Sequence, residues 1–210
     1  MHLPQFANDD PAAWQALMAE YPLGTWFSAH EGAFHADHVP FLFDATRGPH
    51  GTLLAHVSRA NPVWRHPGQS LVVFNGPQAY VSPNWYPSKH AHGKAVPTWN
   101  YAVVHVHGQA RAVEERDELL ALVERLTATH EHGQAHPWKV SDAPADYIDQ
   151  LLRAIVGIEI TVDRIEGRWK MSQNRSETDR LGVAAGLQQI GSEEARAVAA
   201  LVQPSPVSAK

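Results

Sequence analysis

Between Gly24 and about Val113 the apolar residues come in short runs broken by Gly, Pro and Asn. Thr25–Ala29, Ala36–Phe43, Leu53–Ser58, Ser70–Phe74, Ala79–Ser82 and Tyr101–Arg111 each read as a strand. The clusters Arg47–Gly51, Asn75-Gly76-Pro77 and Pro83-Asn84 read as the turns between them. Short strands at this spacing point to a barrel or a sandwich. Helical spacing flanks them. Pro11 to Tyr21 places Trp14, Leu17 and Met18 on one face, with Asp9 or Asp10 in position to cap. Glu114 to about Glu131 carries the stripe Leu119, Leu122, Val123, Leu126. Pro144 to about Ala154 is a second helix of this region, and Ile155–Lys170 follows as a late strand rich in Ile and Val. Ser176 opens a further helix, with Asp179 at capping-box spacing, and after Gly191 Ser192 caps a last one over Glu193–Leu201. The pattern predicts a mainly β fold with peripheral helices (α+β), in one domain over residues 1–202. The tail 203–210, with two prolines, is expected to fray.

Composition narrows the chemistry. The 210 residues include no cysteine, which removes disulfides, thiolate nucleophiles and Cys-based metal sites together. Met1–Asp10 has neither a basic nor an apolar leader region, and no stretch approaches the ~18 apolar residues of a membrane span, so a cytoplasmic protein is expected. The net charge of −5 gives no overall attraction to nucleic acid. There is no G-x-G-x-x-G, P-loop or G-x-S-x-G, and His130-Glu131-His132 lacks the second histidine of a zincin, Gln134 standing in the way. Among 14 histidines the pairs His35/His38, His90/His92 and His105/His107 arise readily by chance, whereas zinc needs three or four convergent ligands, so no metal site is expected.

Three segments combine polar side chains with aromatics. In His56–Pro62, Ser58 and Arg59 stand at a strand end, where a hydroxyl and a guanidinium can meet an anion; taken alone, ordinary exposed polar residues at a strand end are the plainer account. Tyr80–Lys89 and Val96–Tyr101 supply flat walls in Trp85, Tyr86, Trp99 and Tyr101, and donors in Lys89, Thr98 and Asn100. A planar ligand with a phosphate tail needs that mixture, although aromatics packing a turn would also give it. Arg168–Arg175 brings cations and Ser172, Gln173 and Asn174 to the start of the Ser176 helix, whose free N–H groups suit an anion; capping of that helix is the plainer alternative.

The blocks LLAHVSRAN (53–61), YVSPNWYPSK (80–89), VPTWNYAVVHVHG (96–108) and KMSQNR (170–175) resemble those of the PaiB family, the FMN-binding negative transcriptional regulators. The resemblance covers nearly the whole chain. It implies a split β-barrel of the FMN-binding, pyridoxamine-phosphate-oxidase-like type, a homodimer, and FMN bound near the dimer interface. On the matching segments the expected cofactor-binding residues are Ser58, Arg59, Asn61, Lys89, Thr98, Trp99, Asn100, Lys170, Ser172, Gln173, Asn174 and Arg175. It leaves open a flavin-linked repressor, an FMN-dependent oxidoreductase acting on a small molecule and, more weakly, a haem-handling barrel, because fold does not settle function. If DNA is a partner, the last helix is not its reader: it presents Glu193 and Glu194 where a recognition helix presents donors. FMN would carry any redox chemistry, so no catalytic residue is assigned; His56 and His105 are the nearest to an acid or base.

Overall fold

The computed structural model describes residues 3–66 and 68–203, apart from the side chain of His92. In chain order the strands are β1 (Ala7–Asn8), β2 (Leu23–His30), β3 (Ala33–Pro40), β4 (Leu42–Asp44), β5 (Thr52–Ser58), β6 (Gln69–Val81), β7 (Thr98–Val113) and β8 (Ile155–Lys170). The helices are α1 (Pro11–Glu20), α2 (Pro87–His92), α3 (Arg116–Glu131), α4 (Ala145–Leu152), α5 (Glu177–Ile190) and α6 (Glu193–Val202). The described residues group into two compact units, one of 3–14, 75–104 and 166–203, the other of 15–66, 68–74 and 105–165. From residue 204 the expected tail lies outside the described residues.

The strands form an antiparallel sheet in the order β3-β2-β6-β7-β8-β5-β4; the second unit holds β2 to β5 with 69–74 of β6, 105–113 of β7 and 155–165 of β8. The sheet's register fixes what is buried. β5 lies against β8 from Thr52↔Thr161 to Ser58↔Ile155, and Leu53, Ala55, Ile158 and Ile160 are buried in that pair. One close approach requires glycine here and a second favours it. A Cβ on Gly108 would meet the Thr161 carbonyl oxygen at 2.2 Å, and one on Gly157 would press on Val113 and Leu119. α3 packs Leu122 and Leu126 against Leu54 of β5. Its first turn is capped by Glu115, whose carboxylate accepts the amides of Asp117 and Glu118 at 2.9 and 3.0 Å. The buried Trp26 donates to the Ser70 hydroxyl at 2.9 Å, which ties β2 to β6.

In the first unit, α5 and α6 pack on each other through Val183, Ala184, Leu187, Val198 and Val202, all buried. Gly191, at φ 74°, makes the left-handed turn between them. Ser176 and Ser192 cap the two helices as their spacing predicts, accepting the amides of Asp179 and Ala195 at 3.2 Å each. α5 lies so close to Trp85 that a Cβ on Gly186 would fall 2.4 Å from the indole. β1 pairs with β8 at Ala7↔Arg168, next to the Trp14 indole, which donates to the Asn8 carbonyl at 2.6 Å.

Three expectations are corrected. Ser70–Phe74 and Ala79–Ser82 are one continuous strand, β6, because ladder pairing and burial of Gly76 and Pro77 override their local turn preference. Ala36–Phe43 breaks at Phe41, whose amide leaves the ladder for the Pro22 carbonyl at 2.9 Å. The stretch 87–92, read as part of a turn region, is the helix α2.

Candidate functional site

In the first unit the N-terminal end of β7, the C-terminal end of β8 and the turn into α5 enclose a cavity of about 100 Å³. Lys170, Ser172, Asn174 and Arg175 line it from the β8–α5 side, and Thr98 and Asn100 from β7. Tyr86, Val96 and Pro97 complete the wall. Six of the twelve residues expected from the sequence therefore meet here, although they come from segments some 70 positions apart.

The turn is held from inside. Ser172 is buried and takes the left-handed conformation at φ 60°, a costly state for a residue other than glycine. Its hydroxyl exchanges hydrogen bonds with the buried Asn100 side chain at 3.0 and 3.2 Å. The Arg175 amide donates to the Ser172 carbonyl at 2.9 Å, closing the turn. These bonds fix the chain between Lys170 and Arg175.

The charges are arranged for an anion. The Lys170 ammonium donates to the Thr98 hydroxyl at 2.5 Å and to the Trp99 carbonyl, which leaves its third N–H for a ligand. Burial, and next the Arg175 charge, hold its pKa below the ordinary lysine value. The Arg175 guanidinium lies over the Tyr86 ring, 4.8 Å from its centroid, and donates no hydrogen bond among the described residues. No carboxylate lines the cavity. Asp179, buried in the first turn of α5, accepts the Ser88 amide and hydroxyl at 3.0 and 2.8 Å. Burial works to raise its pKa, but the Ser88 hydrogen bonds, with Ser176 and the Arg175 charge, bring it below the usual carboxylate value.

The other expected residues are not among those lining the cavity. Lys89 donates to the Asn84 side chain within its own turn. Gln173 folds back on the chain, its carbonyl accepting the Met171 amide at 2.6 Å. Trp99 is 53% exposed and packs edge-on against Tyr80, with centroids 6.2 Å apart. Ser58, Arg59 and Asn61 belong to the second unit. There Arg59 is committed to structure: it pairs with Glu114 at 2.7 Å, donates to the carbonyls of Arg153 and Ile155, and lies over Trp64. The Ser58 hydroxyl accepts the Ala60 amide at 3.2 Å. Asn61 caps a 3-10 turn over Pro62–Arg65 and donates to Asp37 at 2.6 Å. His56 and His105 are also in the second unit, on β5 and β7. Tyr86, Val96 and Pro97 were absent from the expected set; Tyr86 stood in the quoted 80–89 block, but only as an apolar wall. Among the described residues no group of three or more His, Cys, Asp or Glu could hold a metal ion.

The family described as "Putative FMN-binding domain" matches residues 1–164. The Bacillus subtilis protein named protease synthase and sporulation protein PAI 2 is 31% identical over 208 residues, covering 97% of each chain. The chain belongs to the PaiB family. An uncharacterized protein of Emericella nidulans is 32% identical over 227 residues, covering 90% of each chain. In fold, the chain is similar to the FAD and haem binding protein of Mycobacterium smegmatis, with a TM-score of 0.53 at 15% identity, over 86% of this chain and 80% of that one. The fold is the mainly β, FMN-binding split-barrel type expected from the sequence. No helix among the described residues is long and apolar enough to cross a membrane.

FMN is the cofactor that the family's description names, and the cavity's chemistry fits one end of it. Two cations with neutral donors, and no carboxylate, suit a phosphate dianion. At about 100 Å³ the cavity is below the ~300–1,000 Å³ of sites that enclose a whole ligand. It therefore fits the phosphate rather than the ring system.

Proposed function

We propose that this PaiB-family protein binds FMN by its phosphate in the Lys170–Arg175 cavity and acts, as a homodimer, as a flavin-linked negative regulator of transcription. The observation that carries the cofactor reading is the pair of cations, Lys170 and Arg175, facing a cavity whose lining contains no counter-charge. Lys170 supplies its third N–H and Arg175 its unused fork; Thr98 and the Ser172–Asn100 pair keep both in place. When bound, FMN supplies the redox chemistry. In this reading Ser58, Arg59 and Asn61 serve the fold.

The regulatory part is supported by relationship to a protein named for protease synthesis and sporulation. Any action on DNA does not run through α6. Its first turn presents Glu193 and Glu194, and its other face, Ala195, Val198, Ala199 and Val202, is buried. The exposed Tyr80–Trp99 pair is the kind of aromatic surface that a dimer interface would cover.

Titration of the purified protein with FMN and with riboflavin, followed by quenching of flavin fluorescence, tests the cofactor reading. FMN is expected to bind at least tenfold more tightly, a difference of about 1.4 kcal/mol. Equal affinity for the two would remove the phosphate from the argument, and no quenching by either would remove the flavin. A molar mass in solution close to that of one 23.2 kDa chain would remove the dimer.

A further inference from the structure

Tyr86 is 1% exposed, and its hydroxyl is buried with no hydrogen-bond partner among the described residues. It is the single such side-chain atom found among them. Buried polar groups are almost always paired, and one left alone carries a desolvation cost that needs a reason. The residue lines the cavity, stands immediately before α2, and carries the Arg175 guanidinium over its ring.

The surroundings state what would complete it. A cation is excluded by Lys170 and Arg175. An apolar group would leave the hydroxyl as it is. An anion offers acceptors only, so the phenol would have to donate to it. Around this cavity three donors are uncommitted: the third N–H of Lys170, the fork of Arg175 and the O–H of Tyr86. A phosphate monoester presents three terminal oxygens. A phosphodiester and a carboxylate present two each.

We propose that the Tyr86 hydroxyl is the third donor of a phosphate-monoester site. This rests on the cavity being the place where the FMN phosphate is held. The ring already sits against Arg175, and the hydroxyl is fully covered, so an acceptor reaches it only as the ring or the wall beside it gives way slightly.

The test is Tyr86→Phe, which keeps the ring and its contact with Arg175 and deletes only the orphaned oxygen. Without ligand the variant is expected to melt at or above the wild-type temperature, because an unpaired buried group has been removed. FMN affinity should fall at least tenfold, about 1.4 kcal/mol, and inorganic phosphate should protect the wild type against heat more than the variant. If Tyr86→Phe keeps wild-type FMN affinity while Lys170→Ala and Arg175→Ala lose it, the role of Tyr86 is overturned and the cavity stands. If all three variants keep wild-type affinity, the cavity reading falls and Tyr86 with it. A variant that melts well below wild type without ligand assigns the hydroxyl to structure and overturns the proposal.

Discussion

Replacing Lys170 by Met separates a ligand-binding cation from a structural one. The ammonium makes two internal hydrogen bonds, to Thr98 and to the Trp99 carbonyl. Each comes from a charged donor and, at this half-buried position, is worth about 1.5 kcal/mol, the low end of the range for charged groups. Against that stand the burial of the charge and its repulsion by Arg175, both of which lower the pKa of Lys170 and so oppose the charged form. Met keeps most of the buried stem and removes the opposed charge. The terms offset, and the unliganded protein should change by no more than about 1 kcal/mol. Binding behaves differently. A charge-assisted hydrogen bond to an ionised group is worth about 1.5–3 kcal/mol, so FMN affinity should drop by roughly one to two orders of magnitude. Arg175 and the turn's own amides stay, so residual binding is expected. Flavin fluorescence quenching reads the affinity, and thermal melts with and without FMN read both states. FMN affinity within about twofold of wild type would refute the reasoning. So would a large loss of stability without ligand, which would make Lys170 a structural strut.

Three further outcomes follow from particular contacts. Burial and Arg175 hold the pKa of Lys170 low and bound phosphate favours its charged form; FMN affinity should therefore weaken as pH rises through a value below that of an ordinary lysine, and a titration flat from about pH 7 to about pH 10 would contradict this. Gly186→Ala places a Cβ 2.4 Å from the Trp85 indole and should cost about 1–3 kcal/mol, read as a fall in melting temperature. The Thr46 hydroxyl first, and then Arg125 at 2.8 Å, outweigh burial and hold Asp44 at about 2 rather than 3.8. The folded value is the lower one, so Asp44 stabilises the fold above the ordinary carboxylate value and loses that contribution as pH falls through about 2. The full linkage is about 2.4 kcal/mol; with Arg125 45% exposed, solvent screening leaves about 1 kcal/mol as the expected cost of Asp44→Asn at neutral pH in a denaturant titration.

The parts of the fold that were legible are those where one signal spoke alone. Ile155–Lys170 is a strand over its whole expected length: it has no proline, and its two glycines, Gly157 and Gly167, stand where a Cβ would press on a packed neighbour. The serine caps of α5 and α6 stand where spacing put them. Asp179 departs from the capping box: its carboxylate turns to Ser88, a partner 91 positions away that spacing cannot reveal. Asn75-Gly76-Pro77 misled because turn propensity is local and the pairing of β6 is not. The site followed the same division. Thr98, Asn100 and the 170–175 turn were visible as dense polar stretches beside aromatics, and they do converge. Arg59 carried the same chemical signal, yet its partners Glu114, Arg153 and Ile155 appear only once the chain is folded. The isolation of the Tyr86 hydroxyl is likewise a property of packing, with no trace in residue order.

Asp179 clasps the first turn of α2 to the first turn of α5. One of those helices follows Tyr86 and the other follows Arg175, so two walls of the cavity are stapled together by one carboxylate. Parting them would strip a buried anion of its hydrogen bonds. The opposite wall, Val96 and Pro97, belongs to an irregular stretch between α2 and β7 with neither ladder nor helix to hold it. Loops of this kind move on the order of nanoseconds to microseconds, so under the proposed reading the release of a bound phosphate is expected to be limited by its own bonds to Lys170 and Arg175 rather than by a slow opening of the scaffold.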